Sequence, residues 1–347
     1  MMRKNNITNP YLPWEVDLKN FPIGGKFMDK AEFLIRYAIL APNSHNTQPW
    51  RFEITKESIQ LLPDLERSLY YSDRENRELY ISLGCALGNL LVAADYFGFH
   101  VRIEYLPESR LNGVAVELFL TKRTTKSLYS DMFSVITKRS TDRGVYEDKQ
   151  LNVQTIDKLR SRFKDSGVSL GIVTSKRDIE KAADLVYKAI MFAFRDTIFK
   201  EELSTWVRPN NTKKFDGMPL SGFGVPGIIS LFAPYLIKLT NPSIQANMER
   251  RMVLNSTGLL VISSAMDDKV GWLKTGKLYS FLTLAFLIEG IGTAPFSGMI
   301  EYKKVRTKLM KMLGIEMSPT FFARMGYSNN SPHHSPRRDV AQLLSKM

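Results

Sequence analysis

Two long apolar stretches organise the hydrophobic pattern of the chain. GCALGNLLVAADYFGF opens at Gly84 and GKLYSFLTLAFLIEGI at Gly276, and in each a second glycine, Gly98 or Gly290, closes a run of apolar helix formers. Leu90 of the first falls in step with Leu282 of the second, and Ala93 with Ala285. Helices apolar all round are predicted to be buried on every side, with the closing glycine as a C-terminal cap. Strand-like runs flank both of them. EITKESIQLLPD, HVRIEYLP and VAVELFLTK read as extended chain in the first half; VSLGIVTS, TGLLVISSA, TAPFSGMIEY and SPTFFARMGYS do so in the second. Any two glycine-flanked buried helices look alike, but the matching strands on either side favour a duplicated and fused ancestor. The expectation is an α+β chain of two similar halves, residues 1–130 and 131–347, packed on each other through their central helices. A helix-rich insertion falls at roughly 180 to 255.

Four polar or broken segments interrupt this pattern. Directly after the apolar run FLIRYAIL, residues 41–52 read APNSHNTQPWRF, with six polar residues between two prolines. Such side chains can bind their own backbone and shape a tight turn, or they can offer donors and acceptors to a flat polar ligand. KRSTDR at 138–143 and SPRRD at 335–339 combine guanidinium groups with hydroxyls. That combination suits a phosphate, although similar clusters also occur on solvated faces. GFGVPGIISLFAPYLIKL, residues 222–239, is apolar but broken by Pro226, Gly227 and Pro234. Its uncharged part falls short of the ~20 residues of a spanning helix, so a buried or flexible flap is expected and no stable membrane insertion.

Charge and cysteine content narrow the field. With 48 Lys+Arg against 35 Asp+Glu the formal charge is +13, which favours anionic ligands and surfaces. Nucleic acid is the obvious rival partner, but the basic residues are scattered and no zinc-finger or RNP-like spacing is present, so none is expected. One cysteine, Cys85, excludes an intrachain disulfide and any multi-cysteine metal site. It falls inside the first apolar helix, where a thiol behaves as a small hydrophobe. No apolar signal segment opens the chain, and a cytoplasmic protein is the expectation. His333 and His334 are adjacent rather than four apart, so they read as solvated loop residues without a metal. His45 reads as a solvated or locally bonded loop histidine able to titrate near neutrality, Trp50 as an anchor of its loop, and Asp267-Asp268 as a turn before a helix.

Four segments together resemble the nitroreductase-like flavoproteins. APNSHNTQPWRF is similar to their QPW loop, KRSTDRGVYED to their basic serine motif, WLKTGKLYSFLTLAFLIEGIGTAPFSG to their central helix and following loop, and RMGYSNNSPHHSPRRDVAQLL to their closing segment. The QPW loop here precedes the basic serine motif, the reverse of the usual order, and this resembles the fused, single-chain Acg-like branch. The resemblance spans about residues 30 to 345. It implies a nitroreductase-like fold whose two halves form an intramolecular pseudo-dimer, with a lid insertion at about 195–245 and one FMN at the seam. Homodimerisation of the whole chain stays open. The resemblance implies that the phosphate is gripped by Arg139, Ser140 or Thr141, and Arg143, with Arg337 and Arg338. It implies hydrogen bonds to the flavin from Pro42, Asn43, Ser44, Asn46 and Gln48, and a loop including Pro295 that runs over one flavin face and gives the flavin N5 a backbone N–H from Phe296, Ser297 or Gly298. The implied activity is electron transfer from NAD(P)H through FMN to a nitroaromatic, quinone or similar small acceptor, in ping-pong order and with no separate Rossmann domain. A closed lid would instead imply an FMN-storing protein with little turnover.

Overall fold

A computed structural model describes residues 9–107, 113–163, 167–330 and 333–345. It is α+β. The first antiparallel sheet contains β1 (Trp50–Ile54), β2 (Ser58–Pro63), β3 (Phe99–Tyr105) and β4 (Val116–Lys122), in the order β1-β2-β4-β3. After β5 (Val168–Val173) come β6 (Val207–Arg208) and β7 (Met218–Pro219), a two-residue parallel pair within the insertion. β8 (Gly258–Ser264), β9 (Ile291–Pro295) and β10 (Ser318–Tyr327) then join β5 in a second antiparallel sheet, ordered β5-β8-β10-β9. Each sheet therefore sets its last strand between the second and third, and in each a long helix connects the second strand to the third. Those helices are Arg77–Tyr96 and Lys269–Ile288.

Side-chain alternation explains the exposed flank of the first sheet: Trp50, Phe52 and Ile54 of β1 point into the core while Arg51 faces solvent. All seven residues of β8 are buried, as expected of a strand covered on both faces. The two long helices pass through the middle of the main core, and every residue from Arg77 to Asp95 is buried. They touch backbone to backbone. A Cβ on Gly84 would lie 2.1 Å from the Leu273 carbonyl oxygen, and one on Gly276 would lie 1.9 Å from that of Ile81. Buried polar groups at this crossing are paired: the Ser280 hydroxyl donates to Asn89 Oδ1 (2.8 Å), and Asn89 Nδ2 donates to the Tyr37 carbonyl (3.1 Å). Gly98 and Gly290, just past the helices, hold φ of 82° and 72°, the left-handed conformation that lets a helix stop. The helix Arg77–Tyr96 is apolar and long enough to cross a membrane but lies inside the protein.

The insertion is helical, with Lys176–Arg195, Thr197–Trp206, Gly227–Ser230, Ala233–Leu239 and Pro242–Leu254. Its apolar stretch, expected as a buried or flexible flap, is buried only in part. Leu220 and Ala233 pack against Phe194, Leu203 and Val207, yet Phe223, Ile228, Phe232, Tyr235 and Leu239 are exposed. Gly222 to Gly227 spell G-x-G-x-x-G, but they sit in a short 3-10 turn of the lid and lead into a four-residue helix. A dinucleotide fingerprint needs a full strand and a long helix around it, and here a two-residue strand precedes the stretch and a four-residue helix follows it. TAPFSGMIEY is extended only to Pro295; from Gly298 to Glu301 it is helical.

The C-terminal segment returns to the first half. Leu344 bridges Phe52 in parallel, the Ser345 amide donates to the Phe52 carbonyl (2.9 Å), and Trp14 Nε1 donates to the Ser335 carbonyl (2.9 Å). Residues 333–337 are thereby laid against the polar loop at 42–48.

Candidate functional site

The loop after the helix Phe27–Ala38 is held in a costly conformation. His45, Asn46 and Gln48 have φ of 48°, 55° and 52°, a region that side chains with a Cβ enter only when neighbours enforce it. The enforcing contacts are visible. Asn46 Nδ2 donates to the carbonyls of Gly217 and Pro336 (both 2.9 Å), and Gln48 Nε2 to that of Phe215 (2.7 Å). Asn43 Oδ1 accepts from the Gln48 amide (2.8 Å), and Gln48 Oε1 from the Arg338 amide (2.8 Å). The polar side chains thus tie together the base of the lid, the loop and the C-terminal segment.

Beside the loop the protein gathers guanidinium groups that form no ion pair among the described residues, although the Glu249 carboxylate at the chamber wall acts on Arg143. Arg139 is 5% exposed, lies between the Trp14 ring and the loop, and makes no hydrogen bond or ion pair among the described residues. Burial lowers its affinity for the proton. Arg143 stacks on Phe223, and burial pulls its guanidinium down to about 10, opposed by Glu249 and Tyr279 and reinforced by Arg139 and Arg324. Arg337 is 2% exposed and lies over Trp14; it donates to Asn46 Oδ1 (2.5 Å) and to the carbonyls of Ala41 (3.2 Å) and Pro336 (3.0 Å). Its own affinity for the proton is well depressed by burial and by Arg139. His334 stacks flat on Trp14 at 4.0 Å and is held near 4 by burial, then by Arg139 and Arg337. These groups, with Ser140 and Thr141, surround a small pocket of about 30 Å³. Unpaired buried cations of this kind suit an anion.

The pocket adjoins a chamber of about 920 Å³, and Pro42, Asn43, Thr141, Arg143 and Met218 border both. Ile81, Ser82, Cys85 and Tyr279 of the central helices form part of the chamber wall, Pro295 to Gly298 another part, and Phe194, Leu203, Phe223 and Leu236 of the insertion its cover. The Phe296 amide donates to the Phe322 carbonyl (3.0 Å), so it is occupied; the Ser297 and Gly298 amides have no hydrogen bond among the described residues. Acid gathers elsewhere along the wall. Arg77 is ion-paired with Glu301 beside Glu78, and burial pushes the Glu301 carboxyl up to about 8 against the pull of Arg77. Asp73 accepts from the amides of Glu78 (3.0 Å) and Leu79 (2.9 Å), and burial with the nearby Glu78 raises it to about 6.

His45 is half-buried, not solvated. Its Nδ1 is enclosed without a partner, and burial lowers it to about 4, opposed by Glu202 and reinforced by Arg143. A histidine depressed in the folded state takes up its proton more readily when unfolded, so it destabilises as pH falls from about 6.5 towards 4. A His45→Gln variant should therefore gain stability relative to the parent over that interval and not above it. Urea midpoints of both proteins at pH 7 and pH 5 check this, and parallel curves would refute it.

Of the expected site residues, Pro42, Asn43, Asn46, Arg139, Ser140, Thr141, Arg143 and Arg337 line the small pocket. Ser44, Pro295, Phe296, Ser297 and Gly298 line only the chamber. Two lie apart. Gln48 spends its amide on Phe215 and the C-terminal turn, and Arg338 turns away to Asp64 (3.5 Å). Trp50 is fully buried beneath the loop, as an anchor would be. Sequence reasoning did not single out Arg324, 1% exposed, which donates to the Gly144 carbonyl (2.8 Å) and keeps a buried unpartnered nitrogen at the chamber. The available signal was a charge within FFARMGY, a strand otherwise apolar at nearly every position.

No family model matches the chain. Curated relatives do. A Mycobacterium tuberculosis protein named as an NAD(P)H nitroreductase is 24% identical over 331 residues, covering 90% of this chain and 90% of its own. The NAD(P)H nitroreductase acg of the same organism is 21% identical over 326 residues, covering 91% and 95%. Among solved structures, an oxidized iodotyrosine deiodinase bound to FMN and 3-iodo-L-tyrosine superposes on 60% of this chain and 95% of its own, at TM-score 0.40 and 11% identity, too distantly to inform the site. Along nine-tenths of its length, the chain is similar to proteins named NAD(P)H nitroreductase, those named acg among them.

Proposed function

We propose that the protein is an FMN-dependent oxidoreductase of the nitroreductase type. One observation carries the reading: a cationic pocket whose guanidinium groups form no ion pair among the described residues adjoins a chamber about 920 Å³ in volume. The donor set fits the group. A phosphate brings about two negative charges, and it would meet the unpartnered guanidinium of Arg139, that of Arg143 and the hydroxyls of Ser140 or Thr141. Arg337 contributes field and fixes the loop rather than offering a free fork. Pro42 to Ser44 would flank the flavin, and the Ser297 and Gly298 amides remain available to a ring nitrogen.

When bound, FMN would supply two-electron chemistry between NAD(P)H and a small acceptor such as a nitroaromatic or quinone. Donor and acceptor would use the chamber in turn, a ping-pong order. Central-helix and lid side chains wall it, and the Arg77–Glu301 ion pair sets a fixed charge pair at its edge. The shared strand order of the two sheets and the paired contact of Gly84 and Gly276 support reading 1–130 and 131–347 as related halves acting as an internal pair, the first having lost its own basic motif.

The covered chamber also suits a second reading, an FMN store whose lid seldom opens. The purified protein should be yellow and release an equimolar amount of FMN on denaturation. A folded protein that takes up no FMN at any concentration overturns both readings. With FMN bound, anaerobic bleaching of the flavin band by NADH or NADPH supports the enzyme, and no bleaching by either supports the store.

A further inference from the structure

The lid carries a surface that the flavin chemistry does not use. Between Gly217 and Met248 the only charged side chain is Lys238. On this segment Ile228 is 80% exposed, Phe232 59%, Tyr235 70% and Leu239 82%. Phe232, Tyr235 and Leu239 are spaced so as to stand on one side of the helix Ala233–Leu239. Other side chains of the same stretch, Val225 and Ile237, line the chamber instead. A single layer of chain thus separates the chamber from an apolar outer face, a kind of patch that monomeric proteins keep small unless it meets a partner.

Charge selects the partner. The segment's own charge is a cation, exposed Lys213 and Lys214 precede it and exposed Arg251 follows it, Asp216 beside it is paired with Arg67 and Arg208, and the whole chain is +13. A second copy would bring the same excess of positive charge to the face, whereas an anionic lipid surface is attracted to it. Pro226, Gly227 and Pro234 break the stretch into pieces too short to span a bilayer but suited to lying in its headgroup region. We propose that the lid is a docking surface for an anionic lipid bilayer, seating Ile228, Phe232, Tyr235 and Leu239 at the boundary of headgroups and acyl chains. The protein lies on the membrane through these residues and does not cross it.

Flotation of the full-length protein with two vesicle types tests this, phosphatidylcholine alone and phosphatidylcholine mixed with phosphatidylglycerol. The protein should float with the mixed vesicles, less so in high salt. An Ile228→Glu, Leu239→Glu variant should lose at least about tenfold in partitioning, since each change removes a large apolar side chain from the contact. Both positions are more than three-quarters exposed, so thermal midpoint and flavin content should match those of the parent. No flotation of the parent, or flotation the variant retains, overturns the proposal. So does a dimer in light scattering that the variant abolishes without any lipid binding by the parent. Flavin content is read on the same samples: a colourless protein that floats counts against the cofactor reading alone, and a yellow one that stays down counts against docking alone.

Discussion

Replacing Arg139 by methionine should weaken FMN binding about a hundredfold while leaving the cofactor-free protein at least as stable. The two effects have one origin. The Arg139 guanidinium is 5% exposed, its Nε has no partner, and no carboxylate pairs with it among the described residues. Its charge also depresses the proton affinity of Arg143, Arg337 and His334. Burying an ion uncompensated costs several kcal/mol, so in the empty protein the group is a liability. A bound phosphate turns it into the strongest available contact, and charge-assisted hydrogen bonds of about 1.5–3 kcal/mol each make a hundredfold loss reasonable at ~1.4 kcal/mol per tenfold. Methionine keeps much of the length and drops the charge. Fluorescence titration with FMN and urea unfolding of the cofactor-free protein measure the pair. Unchanged affinity would remove the phosphate from this pocket; a large loss of apo stability would show that the charge is compensated.

Gly276→Val should cost more than about 4 kcal/mol or abolish folding, out of the ~5–15 kcal/mol that a domain has. The added Cβ would lie 1.9 Å from the Ile81 carbonyl oxygen, 2.8 Å from its carbon and 2.9 Å from the Cys85 nitrogen. All three are backbone atoms of a buried helix, so no side chain can rotate away, and relief requires the helices to separate. Ordinary overpacking costs ~1–3 kcal/mol because neighbours give; here the neighbour is a helix axis. Gly290→Ala is the control. Gly290 has open space around it and φ of 72°, so only left-handed strain of about 1–2 kcal/mol is expected. Urea midpoints rank the two, and a Gly276→Val protein as stable as Gly290→Ala would mean that the helices do not cross at this point.

The elements were legible because their signals are local. Glycine-closed apolar helices, alternating strands and the Asp267-Asp268 turn all appear, with Asp268 accepting from the Gly271 amide (2.8 Å) and Asp267 from Trp272 Nε1 (2.7 Å). The polar loop was legible only in part. Its two readings both hold in different residues: Asn46 and Gln48 shape the chain, while Pro42 to Ser44 border the chamber. What local pattern could not give were long-range partners. Nothing near Arg338 says that Asp64 will take it, nothing near His334 says that it will lie on Trp14, and nothing in the helix Arg77–Tyr96 announces Glu301 across from Arg77. Which way the lid's apolar side chains face was not legible for a different reason. An apolar run broken by proline and glycine looks the same whether its side chains face inward or outward, and here they do both.

The way the C-terminal segment closes against the first half has a consequence for biogenesis. The pocket joins residues near 42, near 140 and near 335, so a nascent polypeptide has no such pocket until the stretch near 335 has left the ribosome. Asn46 and Gln48 each wait for a partner 290 residues further along the chain, Pro336 and Arg338. If FMN binds as proposed, its loading would have to wait for that stretch, and a truncation before Pro336 should yield a chain with both sheets encoded and no complete pocket.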